Sequence, residues 1–475
     1  MMTMGPYLFA KKFTIDDERF RYGSPLRKGG TMLFEIKELI AKNNLLKLSE
    51  YLQEMNAVDI AATMTELSDR DLVLLFRILS KDLSAEVFSY LDKEFQQRII
   101  ESINDREVMQ IVDKLFLDDT VDFIEEMPAY VVKKVLRNTS SKKRELINQF
   151  LKYDDHSAGA MMTIEFVDLK EEMTLKEAIE HTRRTGMNKE TIETCFIIDK
   201  ERHLKGTLGL RELILNDESC YVHELMETNI ISVKTNEDQE QVAQLFKTYD
   251  LVSMPVVDKE NRLVGIITID DVVDIIEREN TEDFQKMAAM EPNEEPYLKT
   301  PALSLAKHRI MWLLVLMISA TIAGRIIQGF EEVIQSVVIL ASFIPMLMDT
   351  GGNAGSQSST LIIRGLALGE ITTKDYLKVM FKEFRVGFIV AVVLASVNFL
   401  RIVFFEKADI MVALTVCGSL FCTVVLAKVV GSLLPMIAKK LKFDPAIMAS
   451  PLITTIVDAF ALIIYFMLAR TLLGI

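Results

Sequence analysis

A multidomain chain is predicted: an all-α superhelical N-terminal part, a duplicated α/β module, an acidic connecting helix and an all-α membrane part of five spans. Three observations carry this. After residue 300 there are 15 Lys+Arg and 10 Asp+Glu, net +5, which leaves 39 and 58 before it, net −19. Half of the 475 residues are hydrophobic, and the long apolar runs fall in the second part. Between 156 and 277 the chain repeats itself at an offset of 59. An acidic water-soluble part excludes nucleic acid as a partner, because DNA binding needs a basic footprint. It favours cations instead.

Residues 1–32 are polar and mixed in charge, show no signal peptide and predict a disordered extension, with Met32 at the start of the fold. From 33 to 150, segments such as RDLVLLFRIL, DREVMQIVDKLF and TVDFIEEM carry apolar residues at i, i+3, i+4 between short polar turns. None can bury its face alone. Short amphipathic helices of similar length predict a stacked superhelix. Cys195, Cys220, Cys417 and Cys422 lack paired spacing and imply neither a disulfide frame nor a zinc site.

CFIIDKERHLKGTLGLREL, from 195, aligns with MPVVDKENRLVGIITIDDV, from 254, placing Gly206 on Gly265 and Asp199 on Asp258. Each copy reads as a strand, a turn, a second strand beginning at the glycine, and a helix. The repeat, over 151–270, resembles a tandem CBS pair. That resemblance implies an adenine nucleotide, ATP, between the halves, with Arg211, Thr268 and Asp270 as candidate contacts. A repeat without ligand is the alternative.

The stretch 271–300 continues the last helix into an acidic linker, with ten Asp or Glu between 270 and 295, Glu294 among them, against Arg278 and Lys286. Asp271 and Asp274, like Glu279 and Glu282, are three apart and share a helix face, where like charges repel unless a cation neutralises them. Five spans are predicted at about 310–328, 333–349, 386–405, 410–438 and 446–469. Arg364, Lys374, Lys378, Lys382 and Arg385 in one loop, and Lys439, Lys440 and Lys442 in another, place the soluble part in the cytoplasm and the C terminus outside the cell membrane. Lys428 sits within snorkelling reach of the cytoplasmic surface. His308 and Trp312 read as interface anchors.

Asp458 stands alone in SPLITTIVDAFALIIYF, where a carboxylate costs about 2.5–3.5 kcal/mol on insertion scales. GGNAGSQSS, 351–359, is expected to interrupt the helix beside hydrocarbon, as lining of a pore or its mouth, because non-helical backbone there needs protein or water around it. Small residues that let helices pack closely are the other reading. No Ser/His/Asp or His/Cys cluster suits an enzyme.

The blocks GGNAGSQSSTLIIRGLALGEI and DPAIMASPLITTIVDAFALIIYF, in this domain order, resemble the MgtE magnesium channels over about 33–475. The resemblance implies a homodimer with one Mg2+ pore between its membrane domains. It makes Asp458, with Thr454 and Thr455, the pore site, and adds Asn353 and Asp444, the latter at the cytoplasmic mouth. A Mg2+ sensor is implied at Asp271, Asp274, Glu279, Glu282 and Asp283 of the linker (plug) helix. Asp238, Glu240 and Asp250 of the CBS pair and Asp118 and Asp122 of the helical domain complete it. Cytosolic Mg2+ bound there would hold the pore shut. Two Asp458 carboxylates would repel one another, and a hydrated Mg2+, which keeps its waters and prefers oxygen, removes that conflict. The alternatives are a proton- or sodium-coupled carrier and a membrane-anchored nucleotide sensor.

Overall fold

The computed structural model describes residues 29–474 apart from 294, 296, 299 and 449. The expected extension thus lies outside the described residues as far as 28, as does Glu294. Residues 29–32 already form the first turn of α1. The chain divides into two compact units, one made of the residues up to 242 with 251–269, the other of 243–250 with those from 270 on.

The first unit begins with ten short helices: α1 (Gly29–Ala41), α2 (Leu45–Gln53), α3 (Ala57–Met64), α4 (Asp69–Ile78), α5 (Lys81–Ser89), α6 (Lys93–Ser102), α7 (Asp105–Val112), α8 (Leu117–Glu125), α9 (Ala129–Arg137) and α10 (Ser141–Phe150). Polar caps set their starts. Asn104 accepts from the backbone of Glu107 at 3.0 Å while the Glu107 carboxylate accepts from the Asn104 N–H at 2.9 Å. Alternate helices pack together, α3 on α5, α5 on α7 and α7 on α9, as a superhelix requires. Phe88 and Phe123 meet edge to face at 5.2 Å within the core.

After α11 (Ala158–Met161), α12 (Leu175–Thr185), α13 (Leu210–Leu215), α14 (Val222–Leu225) and α15 (Gln239–Tyr249) surround two three-stranded sheets. β1 (Asp168–Leu169) runs parallel to β2 (Thr194–Ile198), and β2 antiparallel to β3 (Leu204–Gly209). β4 (Val233–Lys234), β5 (Ser253–Val257) and β6 (Leu263–Thr268) repeat that order. β5 and β6 start 59 positions after β2 and β3 (194 to 253, 204 to 263). The second strand of each copy starts two residues before the repeat glycine, not at it. The glycines serve close approach: a Cβ on Gly206 would stand 2.8 Å from Met226 Sδ, and one on Gly265 2.7 Å from Met162 Sδ. Phe166, Phe196, Ile198, Val257, Leu263 and Ile266 form a core shared by both sheets.

In the second unit α16 (Ile269–Met287) carries the acidic residues from Asp270 to Asp283 but ends at Met287, before Glu291 and Glu295 and short of the predicted 300. Gln285 closes it, accepting from Asn293 N–H at 2.6 Å and donating to Asn293 C=O at 3.0 Å. Then come α17 (Ala302–Gly329), α18 (Glu331–Ser336), α19 (Ile344–Ala367), α20 (Tyr376–Arg401), α21 (Ile410–Lys440) and α22 (Ser450–Leu473). Among the described residues four stretches are long and apolar enough to span a bilayer: 302–329, 373–406, 410–440 and 445–473.

The predicted second span, 333–349, is not one helix. It breaks into α18, a 3-10 stretch over Val338–Phe343 and the start of α19. Tyr465 of α22 donates to the Leu340 carbonyl at 2.8 Å, satisfying part of that irregular backbone inside the bundle. GGNAGSQSS does not interrupt the helix either, because α19 is helical throughout. Its glycines are contact points. A Cβ on Gly351 would lie 2.7 Å from Thr423 Cγ2, and one on Gly355 2.6 Å from Ile453 Cγ2. The close-packing reading of these small residues therefore holds. α19, α21 and α22 pack on one another, α20 lies on α21, and α17 on α22. α17 and α20 leave rows of large apolar side chains exposed, such as Leu313, Met317, Phe388 and Val393.

Candidate ion site

Asp458 lies halfway along α22, on the turn after Thr454 and Thr455. The two hydroxyls are spent locally, both donating to the Pro451 carbonyl, at 2.9 and 3.0 Å. Asp458 Oδ1 is buried and has no hydrogen-bond partner among the described residues. A second carboxylate, Asp349, lies on the turn of α19 that abuts α22 here: a Cβ on Gly351 would stand 2.9 Å from Val457 Cγ1. Asp349 accepts from Asn353 Nδ2 at 3.2 Å, so the predicted asparagine reaches the site through a residue that sequence reasoning did not single out. Its signal was available: Asp349 precedes Asn353 by four residues, one helical turn.

That spacing continues. Asp349, Asn353, Gln357, Thr360 and Arg364 follow one face of α19, and the chain leaves all five exposed. Such a stripe at membrane depth cannot face hydrocarbon without a large penalty. It requires water, ions or another protein surface. The neighbouring face is wholly different, with Gly351, Gly352, Ala354, Gly355, Ser358 and Ser359 buried in the bundle.

Asp444 is not on the helix that carries Asp458. It precedes a 3-10 turn, Pro445–Met448, and its Oδ1 accepts from the Ala446 N–H at 2.8 Å. Its Oδ2 accepts from Lys286 Nζ of α16 at 2.6 Å, and Lys286 also pairs with Glu282 one turn back. Burial works against the Lys286 charge, but the bonds to Asp444 and Glu282 outweigh it and hold its pKa above the ordinary lysine value. An ammonium thus sits between two of the predicted Mg2+ ligands.

Asp271, Asp274, Glu279, Glu282 and Asp283 all belong to α16, and Asp250 follows α15 with a left-handed φ of 50°. Asp238 and Glu240 open α15, where Asp238 Oδ1 accepts from the Glu240 N–H at 2.9 Å. Asp118 and Asp122 stand one turn apart on α8. Next to them burial, then Asp122 and Asp155, push the Glu125 carboxyl above its usual range. Near Asp118 and Asp119 the Lys143 ammonium supplies a local cation, donating to the Leu115 carbonyl at 2.6 Å. Arg211 and Asp270 occupy equivalent positions of the two repeats, and Thr268 is buried at the end of β6.

His308 Nδ1 lies 3.7 Å from the Glu291 carboxylate. Lys428 does not snorkel: it is 5% exposed and donates to Gln357 Oε1 at 3.0 Å.

An apolar bundle with an exposed polar stripe and an unpartnered buried carboxylate defines a membrane transport protein for a charged solute. The comparisons agree. A family model for a divalent cation transporter, MgtE, matches 344–468, one for the MgtE intracellular N domain matches 55–156, and one for the CBS domain matches 222–278. The chain is 35% identical over 445 residues to the magnesium transporter MgtE of Thermus thermophilus, covering 92% of this chain and 98% of that protein. It is 31% identical over 442 residues to the magnesium transporter MgtE of Bacillus subtilis, covering 92% and 96%. A crystal structure of the soluble part of a magnesium transporter matches with a TM-score of 0.51 and 27% identity, over 53% of this chain and 99% of that one. The chain belongs to the MgtE family of magnesium transporters, multi-pass membrane proteins, and its function is Mg2+ transport.

Proposed function

We propose that Mg2+ crosses the membrane along the polar stripe of α19 and is held at Asp458, in a homodimer whose two copies face each other across that stripe. The buried, unpartnered Oδ1 of Asp458 beside Asp349 and Asn353 carries the reading. Two carboxylates in a low-dielectric bundle raise each other's free energy, and a divalent cation between them removes the repulsion. Because Mg2+ dehydrates reluctantly, Asp458, Asp349 and the Asn353 carbonyl accept hydrogen bonds from its waters. A second copy, its stripe opposed to the first, completes the ring and covers polar surface that lipid cannot. The excess of Lys and Arg around residues 364–385 and 439–442, most of it on the ends of α19, α20 and α21, supports a topology with the soluble units in the cytoplasm and the C terminus outside.

The linker acids of α16, with Asp444, Asp118, Asp122, Asp238, Glu240 and Asp250, act as the cytosolic sensor: occupied by Mg2+ they keep the linker docked and the path shut. ATP at Arg211, Thr268 and Asp270 would bias the same linker through the CBS pair, and equilibrium dialysis of ATP with the full chain tests that part. The main test is Mg2+ uptake by magnesium-auxotrophic cells carrying Asp458→Asn or Asp458→Ala. Both variants are expected to lose uptake at parental membrane amounts. Uptake at the parental rate in both would overturn the reading.

A further inference from the structure

Two buried charges of the bundle lie outside that path. Lys428, near the middle of α21, is 5% exposed, and Glu383 of α20 is 8% exposed. Each holds one of two consecutive residues of α19. Lys428 Nζ donates to Gln357 Oε1 at 3.0 Å, and Ser358 Oγ donates to Glu383 Oε2 at 2.6 Å. Gly387 of α20 makes room for the lysine stem: a Cβ there would stand 3.2 Å from Lys428 Cβ and 3.3 Å from Val425 Cα. The three helices therefore meet around two buried charged residues, each of which reaches α19.

Buried charges at this depth are disfavoured and add little stability compared with apolar residues of the same shape. What it does supply is direction. Hydrogen bonds from two sides to residues 357 and 358 fix how α19 is turned about its axis. Asn353 and Asp349 lie one and two turns from Gln357 on the same face. Consecutive residues differ by about 100° around a helix, so even part of that rotation would take both side chains away from Asp458.

We propose that Lys428 and Glu383 are positioning residues for ion transport, a clamp of two buried charged side chains that grips α19 through Gln357 and Ser358 and so aims Asp349 and Asn353 at Asp458. The inference rests on Asp458 as the ion site and goes beyond it, naming what orients the facing helix.

Lys428→Met, Ser358→Ala and the double variant Lys428→Met/Glu383→Gln test it in the full chain, alongside Asp458→Asn. The readouts are Mg2+ and Mn2+ uptake per molecule and membrane amount by immunoblot. Lys428→Met and Ser358→Ala are each expected to lower Mg2+ uptake per molecule about tenfold, the loss of one charge-assisted hydrogen bond, and to lower the ratio of Mg2+ to Mn2+ uptake. The double variant, with no buried charge left unbalanced, should return to parental amount while its ratio stays low. Parental uptake per molecule and ratio in Lys428→Met and Ser358→Ala, with only the amount reduced, would assign the pair to folding and overturn the proposal. The Asp458→Asn arm separates the two ideas: full uptake there sinks the ion site, whereas an inactive Asp458→Asn beside parental clamp variants sinks the clamp alone.

Discussion

Replacing Lys286 by methionine removes the ammonium that joins α16 to Asp444, just before the last apolar stretch, while keeping the apolar stem. In the structure Nζ stands 2.6 Å from Asp444 Oδ2 and also pairs with Glu282, with side chains 21%, 29% and 32% exposed in that order. A hydrogen bond to a charged group contributes about 1.5–3 kcal/mol, and exposure near a third places this one at the low end. About 1.4 kcal/mol is tenfold in an equilibrium, here that between docked and released linker. The sign depends on Mg2+. Without the ammonium, Glu282 and Asp444 face each other as bare carboxylates, which repel at low Mg2+ and can bind a divalent ion at high Mg2+. Uptake into vesicles containing micromolar Mg2+ should therefore rise, up to about tenfold, while millimolar internal Mg2+ still shuts the variant. The dependence on internal Mg2+ becomes steeper than in the parent. Lys286→Arg keeps the charge and should behave like the parent. A Lys286→Met variant whose uptake follows the parental curve at every internal Mg2+ concentration would refute the reasoning, because the bond would then contribute nothing to docking.

Other expectations follow from single contacts. Gly431→Ala would drive a Cβ into the Gly355 carbonyl oxygen, so α19 and α21 must part, and a loss of about 1–3 kcal/mol should appear as a lower Tm in detergent. Asp349→Asn keeps a partner for Asn353 but removes the charge beside Asp458, and the Mg2+ concentration for half-maximal uptake should rise roughly tenfold. An unchanged value would place Asp349 off the path. In the CBS pair, burial opposes ionisation of Asp199, but hydrogen bonds from His203 and Lys205 outweigh it and hold its carboxyl at about 2. Its folded pKa is depressed, so its stabilisation is complete above the ordinary value near about 4 and is lost as pH falls through about 2. His203→Ala should move the Asp199 titration upward in NMR.

The parts of the fold legible in the sequence are those where one period governs one element. The CBS repeat is such a case: strand, turn and glycine recur at a fixed offset, and Asp199 and Asp258 each accept from backbone N–H groups of the turn, at 2.8 Å from His203 and 2.9 Å from Arg262. The four apolar helices are another, because their hydropathy needs no partner to be read. α19 was misread for a physical reason. Each glycine lowers helix propensity by about 1 kcal/mol relative to alanine, so local preference argues for coil over 351–359. Tertiary packing overrides it, since only glycine lets Thr423, Thr454 and Ile453 come so near the α19 backbone. Once that stretch is taken as helical, the polar residues at 349, 353, 357, 360 and 364 fall on one line, and Asp349 becomes visible without any coordinates. Lys428 shows the opposite limit. Its distance from the helix end permits snorkelling, and only the rotation of α21 decides between the lipid headgroups and Gln357. Helical identity thus suffices to find the exposed polar stripe, whereas the buried charged residues that bond to it are known only when three helices are placed together.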